Sequence, residues 1–247
     1  MSPKLDVSDA LEYGLDQVLT RGGASLLAVY IVLQLLNLVG FQSAFAGLFA
    51  GMMPPGRMAE TYPLAVGIPV TASVLVTVLV LLASFVFTVV ALRALYADID
   101  DVPTREHTRQ LGRTVAVNVA VTIVVFLAVS VGFVLFVIPG IFLAVSLAFA
   151  QTAVVIEDAG VVEALRRSWS LTSGNRIRLF ALGLLVVVAG VLVGFVGSAI
   201  GFVAPTLGSI LSNALSSVIS FYGLGVLVGA YRQLAEAESS GAESVAT

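Results

Sequence analysis

The chain has 247 residues, 59% of them hydrophobic and only 11% charged. Soluble domains carry about 25% charged residues, so with a mean hydropathy of +1.06 a water-soluble fold is excluded and an integral membrane protein is implied. A net charge of −3 is too small to specify a partner, and the lack of cysteine removes disulfides, thiolate metal sites and cysteine nucleophiles. Eleven Arg stand against the single Lys4, with acids crowded into the polar edges. Such edges suit a salt-rich cytoplasm, in which hydrated carboxylates keep a surface soluble; GC-rich codon usage explains the Arg excess equally well.

Residues 1–23 form an amphipathic, cytoplasmic segment. In "SDALEYGLDQVLTRGGASLL", Leu11, Leu15, Val18 and Leu19 share one helical face, Ser8 or Asp9 is placed to cap, and Gly22-Gly23 stops the helix. Four acids against Lys4 and Arg21 deny this segment the positive start of a secretory signal. The first apolar run is therefore expected to be a retained anchor, despite an A-x-A look in "SAFAG" at Ser43–Gly47.

Charge-free runs locate the spans, at about 20 residues per crossing. The first two predict helices near 24–50 and 67–95. Thr114–Ile156 holds 43 residues without a charge; as one helix it would be roughly 65 Å long, twice the hydrocarbon core, so it must turn back. Pro139-Gly140 in "IPG" is the expected turn, giving spans near 114–138 and 141–156. The last run, Leu179–Tyr231, divides at "APT", Ala204–Thr206, into spans near 179–203 and 207–231. Residues 236–247 then form a disordered tail. The predicted fold class is an all-α integral membrane protein: a six-helix transmembrane bundle over 24–235, with one or two interfacial amphipathic helices. Because Ile141–Ile156 is short for a crossing, a shallow re-entrant fourth segment is the alternative.

The positive-inside rule tests this count. With six spans and both termini cytoplasmic, eleven of the twelve basic residues fall inside and only Arg57 outside. A single crossing by Thr114–Ile156 would put the two Arg clusters on opposite sides. The expected location is therefore the cell membrane, multi-pass, with both termini in the cytoplasm.

Between the fourth and fifth spans stands "IEDAGVVEALRRSWSLTSGNRIRLF", which predicts an interfacial helix over 159–173. Val161, Val162, Leu165, Trp169 and Thr172 fall on one face, and Glu163, Arg166, Arg167 and Ser170 on the other. Asp158 is placed to cap it and Gly174-Asn175 to end it. An Arg-bearing helix with a Trp on its apolar side suits the bilayer interface, and Arg176 and Arg178 follow as anchors whose stems snorkel. Arg166, Arg167, Trp169, Arg176 and Arg178 are thus the candidate headgroup residues. Asp9-Ala10-Leu11 aligns with Glu163-Ala164-Leu165 and Leu15 with Trp169. Either a degenerate internal duplication or chance likeness of two interfacial helices accounts for this.

The stretch "FVIPGIFLAVSLAFAQTAVVIEDAGVVEALRRSWSLTSGNRIRLF" resembles the signature region of a broad group of multi-spanning prokaryotic proteins. That group is related to the membrane domain fused to some glycerophosphodiester phosphodiesterases. The shared features are the IPG turn, the acidic pair Glu157-Asp158, an "EAL..SW" helix, and "GN" before the next span; the composition is similar to that of haloarchaeal members. The resemblance implies a standalone membrane domain of unassigned function. It carries no active site, since the phosphodiesterase chemistry belongs to a separate soluble domain.

No Asp, Glu, Lys, Arg or His falls in the interior of a predicted span, each lying at an edge or in a loop, which argues against a proton-coupled carrier or an intramembrane metalloprotease. The lone His107 sits in the polar loop "DIDDVPTREHTRQ" with no second His or Cys to complete a metal site. No catalytic residue, metal or cofactor is expected, and the chain is read as a non-enzyme. Gln34, Asn37, Gln42, Asn118, Gln151 and Asn213 should face other helices. Gln34, Asn37 and Asn213 would line the path if a solute moved through. Gly183, Gly190, Gly194, Gly197 and Gly201 make a small-residue face on the fifth span; Ser209, Asn213, Ser216, Ser220 and Gly223 make one on the sixth. Both predict tight helix packing or a dimer face. The expected function is an accessory or scaffold component associated with membrane lipids, and with other membrane proteins or further copies of itself, without nucleic acid. The alternative is a small transporter or permease subunit for an uncharged or lipid-like solute.

Overall fold

The computed structural model describes residues 4–98 and 111–246. His107, Arg105 and Arg109 lie outside the described residues. The described chain is all-helical: α1 (Val7–Leu19), α2 (Arg21–Phe49), α3 (Pro55–Thr61), α4 (Val70–Tyr96), α5 (Leu111–Leu135), α6 (Val137–Ser146), α7 (Ala150–Ile156), α8 (Val161–Thr172), α9 (Arg176–Gly201) and α10 (Pro205–Ala246). Six segments are long and apolar enough to cross a membrane: α2, α4, α5, the pair α6–α7, α9 and Pro205–Ser240 of α10. Their outward faces carry large apolar side chains, such as Leu75, Leu79 and Leu82 on α4, as expected where lipid is the solvent. The chain is an integral membrane protein, and the six segments overlap the predicted spans, the last running on to Ser240 instead of ending at 231.

Several boundaries differ from expectation for local physical reasons. The reversal after α5 falls at Phe136, which is extended (φ −162°, ψ 153°). Pro139 and Gly140 lie inside the first turn of α6. There the missing N–H of proline leaves no helical bond unmade. Gly140 is needed for closeness: a Cβ on it would sit 2.5 Å from the Phe133 ring, and one on Gly132 would sit 2.8 Å from the Gly140 Cα. The first helix ends at Thr20, not at Gly22-Gly23. The Thr20 hydroxyl donates to the Gln17 carbonyl (2.9 Å) and accepts from the Gly23 N–H (2.9 Å). Gly23 opens α2 at a point where a Cβ would lie 1.8 Å from the Gln17 oxygen. The cap of α1 is Asp6, whose carboxylate accepts from the N–H groups of Ser8 and Asp9, instead of Ser8 or Asp9. Where a disordered tail was expected from 236, α10 continues to Ala246; Ala and Glu favour helix there, and Glu236 and Glu238 pair with Arg232 and Arg167.

The chain divides into two compact units. One comprises residues 1–24, 88–185 and 222–247, the other residues 25–87 and 186–221. In the first unit, Phe149, Val154, Tyr231 and Leu234 anchor a core that also takes in Leu5, Ala10, Leu179 and Leu182. The buried side of α1 is Ala10, Gly14 and Gln17, and Gly14 is needed because α10 comes close: a Cβ on it would meet the backbone N of Val226 at 2.8 Å. Of the apolar face read in α1, Leu15 and Leu19 are exposed while Leu11 and Val18 are half-buried.

In the second unit, close approach is again the theme, but fewer glycines serve it than the stripe implies. A Cβ on Gly197 would lie 2.4 Å from Ser212, and one on Gly208 2.4 Å from the Gly201 Cα. Gly190 has ordinary room beside Ile219 (3.7 Å), and Gly194 faces nothing within 4 Å, as does Gly183 in the first unit. Helical spacing identifies residues that share a face; it does not say how near the facing backbone comes. Asn37 and Gln42 tie α2 to other segments of the unit, while Gln34 bonds one turn away within α2 itself. Gln34 donates to the Tyr30 hydroxyl (3.2 Å), Asn37 donates to Ser84 (3.0 Å), and the Gln42 side-chain oxygen accepts from the Leu64 N–H (2.8 Å). The side-chain oxygens of Asn37 and Asn213 are buried without a hydrogen bond.

Candidate membrane-interface site

The site is built on α8 and the start of α9, in the first unit. Asp158 does not cap α8. It adopts φ +51°, which turns its carboxylate to Arg93 (3.1 Å). Gly160 is the N-cap, with its N–H bonded to the Glu163 carboxylate (3.3 Å). The helix ends where predicted, through Ser173 and a left-handed Gly174 (φ 86°), a conformation glycine adopts without steric penalty.

The buried face of α8 is Ala164, Ser168, Leu171 and Thr172; of the predicted apolar set only Thr172 belongs to it. Val161 and Leu165 are half-buried, whereas Val162 and Trp169 are 60% and 43% exposed. The hydroxyls explain the rotation. Between α6 and α7 the helix breaks, freeing a carbonyl at Ser146 and an N–H at Phe149. Ser168 accepts from the Phe149 N–H (3.1 Å) and donates to the Ser146 carbonyl (2.9 Å), which also accepts from Thr172 (3.3 Å). Buried backbone groups must be paired, so Ser168 turns inward and Trp169 is carried to the surface.

There Trp169 packs edge-on against Phe142 (ring centroids 5.5 Å, interplanar angle 78°). The Arg176 guanidinium lies 4.6 Å from the centroid of Phe142 and 4.7 Å from that of Trp169. A cation beside two ring faces is attracted by both quadrupoles. Its Nε is buried with no hydrogen-bond partner. Beneath it a groove of about 310 Å³ is lined by Ile138, Ile141, Val145, Ile177 and Phe180 with Phe142 and Arg176. Chemically this is one fixed positive charge at the edge of an apolar trough.

The other predicted headgroup residues are placed differently. Arg167 binds Glu157 (2.9 Å) and Glu238; burial pulls its pKa down, but its bonds to Glu238 and Glu157 outweigh that and hold it above its ordinary value. Arg178 donates to the Leu5 carbonyl (2.7 Å). Arg166 is exposed. Only Trp169 and Arg176 are brought together, with Phe142 as a third member that sequence reasoning missed because it lies in a span.

Also missed was the stitching around the site. The Asn175 side-chain oxygen accepts from the Leu5 N–H (3.0 Å) and the Gln233 oxygen from the Asp6 N–H (3.0 Å). Arg93 donates to the Val155 carbonyl (3.1 Å) as well as to Asp158. Arg232 joins Asp98 and the Tyr13 hydroxyl (3.0 Å), and burial raises the Tyr13 pKa. The acidic pair Glu157-Asp158 was the visible signal: both acids are partners of arginines.

Residues 107–234 match a family described as a domain of unknown function, DUF7847. The matched region contains Phe142, Trp169 and Arg176 and the whole stretch from Phe136 to Phe180. No curated protein and no solved structure matches the chain.

Proposed function

Because the chain belongs to the DUF7847 family, whose domain has no assigned activity, we propose its role from geometry: a non-enzymatic accessory or scaffold protein of the cell membrane that holds anionic lipid headgroups at Arg176. The observation that carries this is the Arg176 guanidinium set between Phe142 and Trp169 over an apolar trough. A phosphate would pair with the cation and an acyl chain would lie along the trough, an interaction worth about 1 kcal/mol per basic residue near an anionic surface. In this reading both termini and α8 face the cytoplasm, which the eleven-to-one distribution of basic residues favours. Kinship with the membrane domain of glycerophosphodiester phosphodiesterases is part of the same reading, supported by the stretch from Phe136 to Phe180.

Trp169 is the sole tryptophan, so its fluorescence is a direct probe. In vesicles containing brominated phosphatidylglycerol or brominated phosphatidylcholine, the anionic lipid should quench Trp169 more strongly, and Arg176→Gln should remove the difference. Equal quenching by both lipids in the parent protein would refute headgroup selection. The rival reading, a small permease, draws on the unpartnered amide oxygens of Asn37 and Asn213; solute uptake that Asn213→Leu abolishes would favour it.

A further inference from the structure

We infer that α5, α6 and α7 form a re-entrant hairpin, which enters the bilayer from the face where α8 lies and returns to it, its apolar tip embedded among the acyl chains of one leaflet. Three helices of crossing length bring their polar ends together in the first unit. The rings of Tyr96, the last residue of α4, and Tyr231 of α10 are 6.4 Å apart, and Arg232 pairs with Asp98 just beyond α4. The start of α9 joins them through Leu5 and Asp6, which bond to Asn175, Arg178 and Gln233. Arg93, Arg176 and Tyr231 therefore mark one level, at the polar ends of α4, α9 and α10.

The fourth apolar segment touches that level along its length. Phe142 lies against Arg176 (4.6 Å), and Phe149 packs on Tyr231 (5.5 Å). Glu157 accepts from the Tyr231 hydroxyl, while Val155 and Asp158 accept from Arg93 (3.1 Å each). A helix leaving for the far face would recede from this level by 1.5 Å per residue. Instead Ile138, beside the tip, lines the same groove as Arg176 and Ile177, although the two edges of the hydrocarbon core are about 30 Å apart.

The tip itself is bare hydrocarbon. Val134, Leu135, Phe136, Val137 and Ile138 are 61–86% exposed, and no charge occurs from Thr114 to Ile156. Lipid chains are the occupant that this chemistry fits, since water would meet a contiguous apolar surface. A backbone group shielded from water needs a partner within the protein, which is the need Ser168 meets at the break between α6 and α7. A hairpin that returns to its own face contributes an even number of crossings, none, so the distribution of basic residues is the same as for two full spans.

The cysteine-free chain allows a clean test. Single variants Met52→Cys and Ser170→Cys mark the two faces, and Phe136→Cys and Ile138→Cys, at two exposed positions, report the tip. Each is treated in sealed, oriented vesicles with a membrane-impermeant maleimide. Neither tip cysteine should react from the Met52 face, whether it is protected entirely or reached from the Ser170 face. Reaction of either tip cysteine from the Met52 face, to the level of Met52→Cys, overturns the hairpin. So does reaction of Met52→Cys and Ser170→Cys from the same face, because the intervening chain would then cross once more.

Discussion

Both units use close glycine contacts, but they differ in how much polar bonding is added to them. In the first, arginines, carboxylates and hydroxyls are spent on helix ends and breaks: Arg93 on Val155 and Asp158, Ser168 on Phe149 and Ser146, Arg178 on Leu5. In the second, helices meet where side chains are missing: Gly197 against Ser212, Gly201 against Gly208, and Gly40, where a Cβ would come within 2.6 Å of the Thr77 hydroxyl. The difference follows from solvent. Apolar burial drives helices together in water but adds little in lipid, where association depends on close packing and hydrogen bonds. Interrupted helices such as α6–α7 bring a further demand, since every freed backbone group must find a partner. The first unit meets this demand with polar side chains at several helix ends, while the second meets it mostly within long uninterrupted helices, with Gln42 and Ser43 taking the N–H groups of Leu64 and Val66 before α4.

Substitutions should separate the two regimes. The largest effect is expected in the second unit from Gly197→Leu, where the new side chain meets the Ser212 backbone at 2.7 Å. Overpacking costs about 1–3 kcal/mol and more where backbone must move, so folded yield in mild detergent should collapse. Gly194→Leu, three residues away on the same stripe, should melt like the parent protein; a matching loss in both would mean the whole stripe is packed. In the first unit, Arg93→Met strands the Val155 carbonyl and the Asp158 carboxylate. With the Arg93 side chain 13% exposed and Asp158 57% exposed, the loss should be about 2 kcal/mol, read as a lower thermal midpoint in detergent.

A smaller loss, about 1–2 kcal/mol, is expected for Ser168→Ala, which leaves the Phe149 N–H unpaired. Hydrogen exchange should show it locally, as faster exchange at the junction of α6 and α7. The smallest change should reverse sign. Asn118 is fully buried and neither of its side-chain polar atoms has a partner, so Asn118→Leu should raise the midpoint slightly, by up to about 1 kcal/mol. A clear drop would show that Asn118 makes a bond essential to the first unit.

Much of this fold was legible in the sequence. Charge-free length located the six apolar segments, because the desolvation penalty of an ionised group confines charge to the edges of a span. Gly174-Asn175 ended α8 as read, since few residues other than glycine accept the left-handed turn there. At the site, Trp169 and Arg176 were identified by type, an indole and a guanidinium beside an apolar run. Phe142 was invisible because its neighbours in sequence are all apolar. The exclusion of Arg167 and Arg178 was equally hidden, because their partners Glu238 and Leu5 lie at opposite ends of the chain.

What the sequence by itself determined is therefore solvent and periodicity: an all-helical membrane protein, six apolar segments, and an interfacial helix after the fourth. Those follow from transfer free energies, which are properties of each residue. The tertiary structure decided the rest: which face of α8 is buried, which glycines are needed for contact, where the chain reverses near Phe136, and which arginine stands over the groove. Each of these depends on the distance to a group far away in the chain, and that distance is not a property of any single residue.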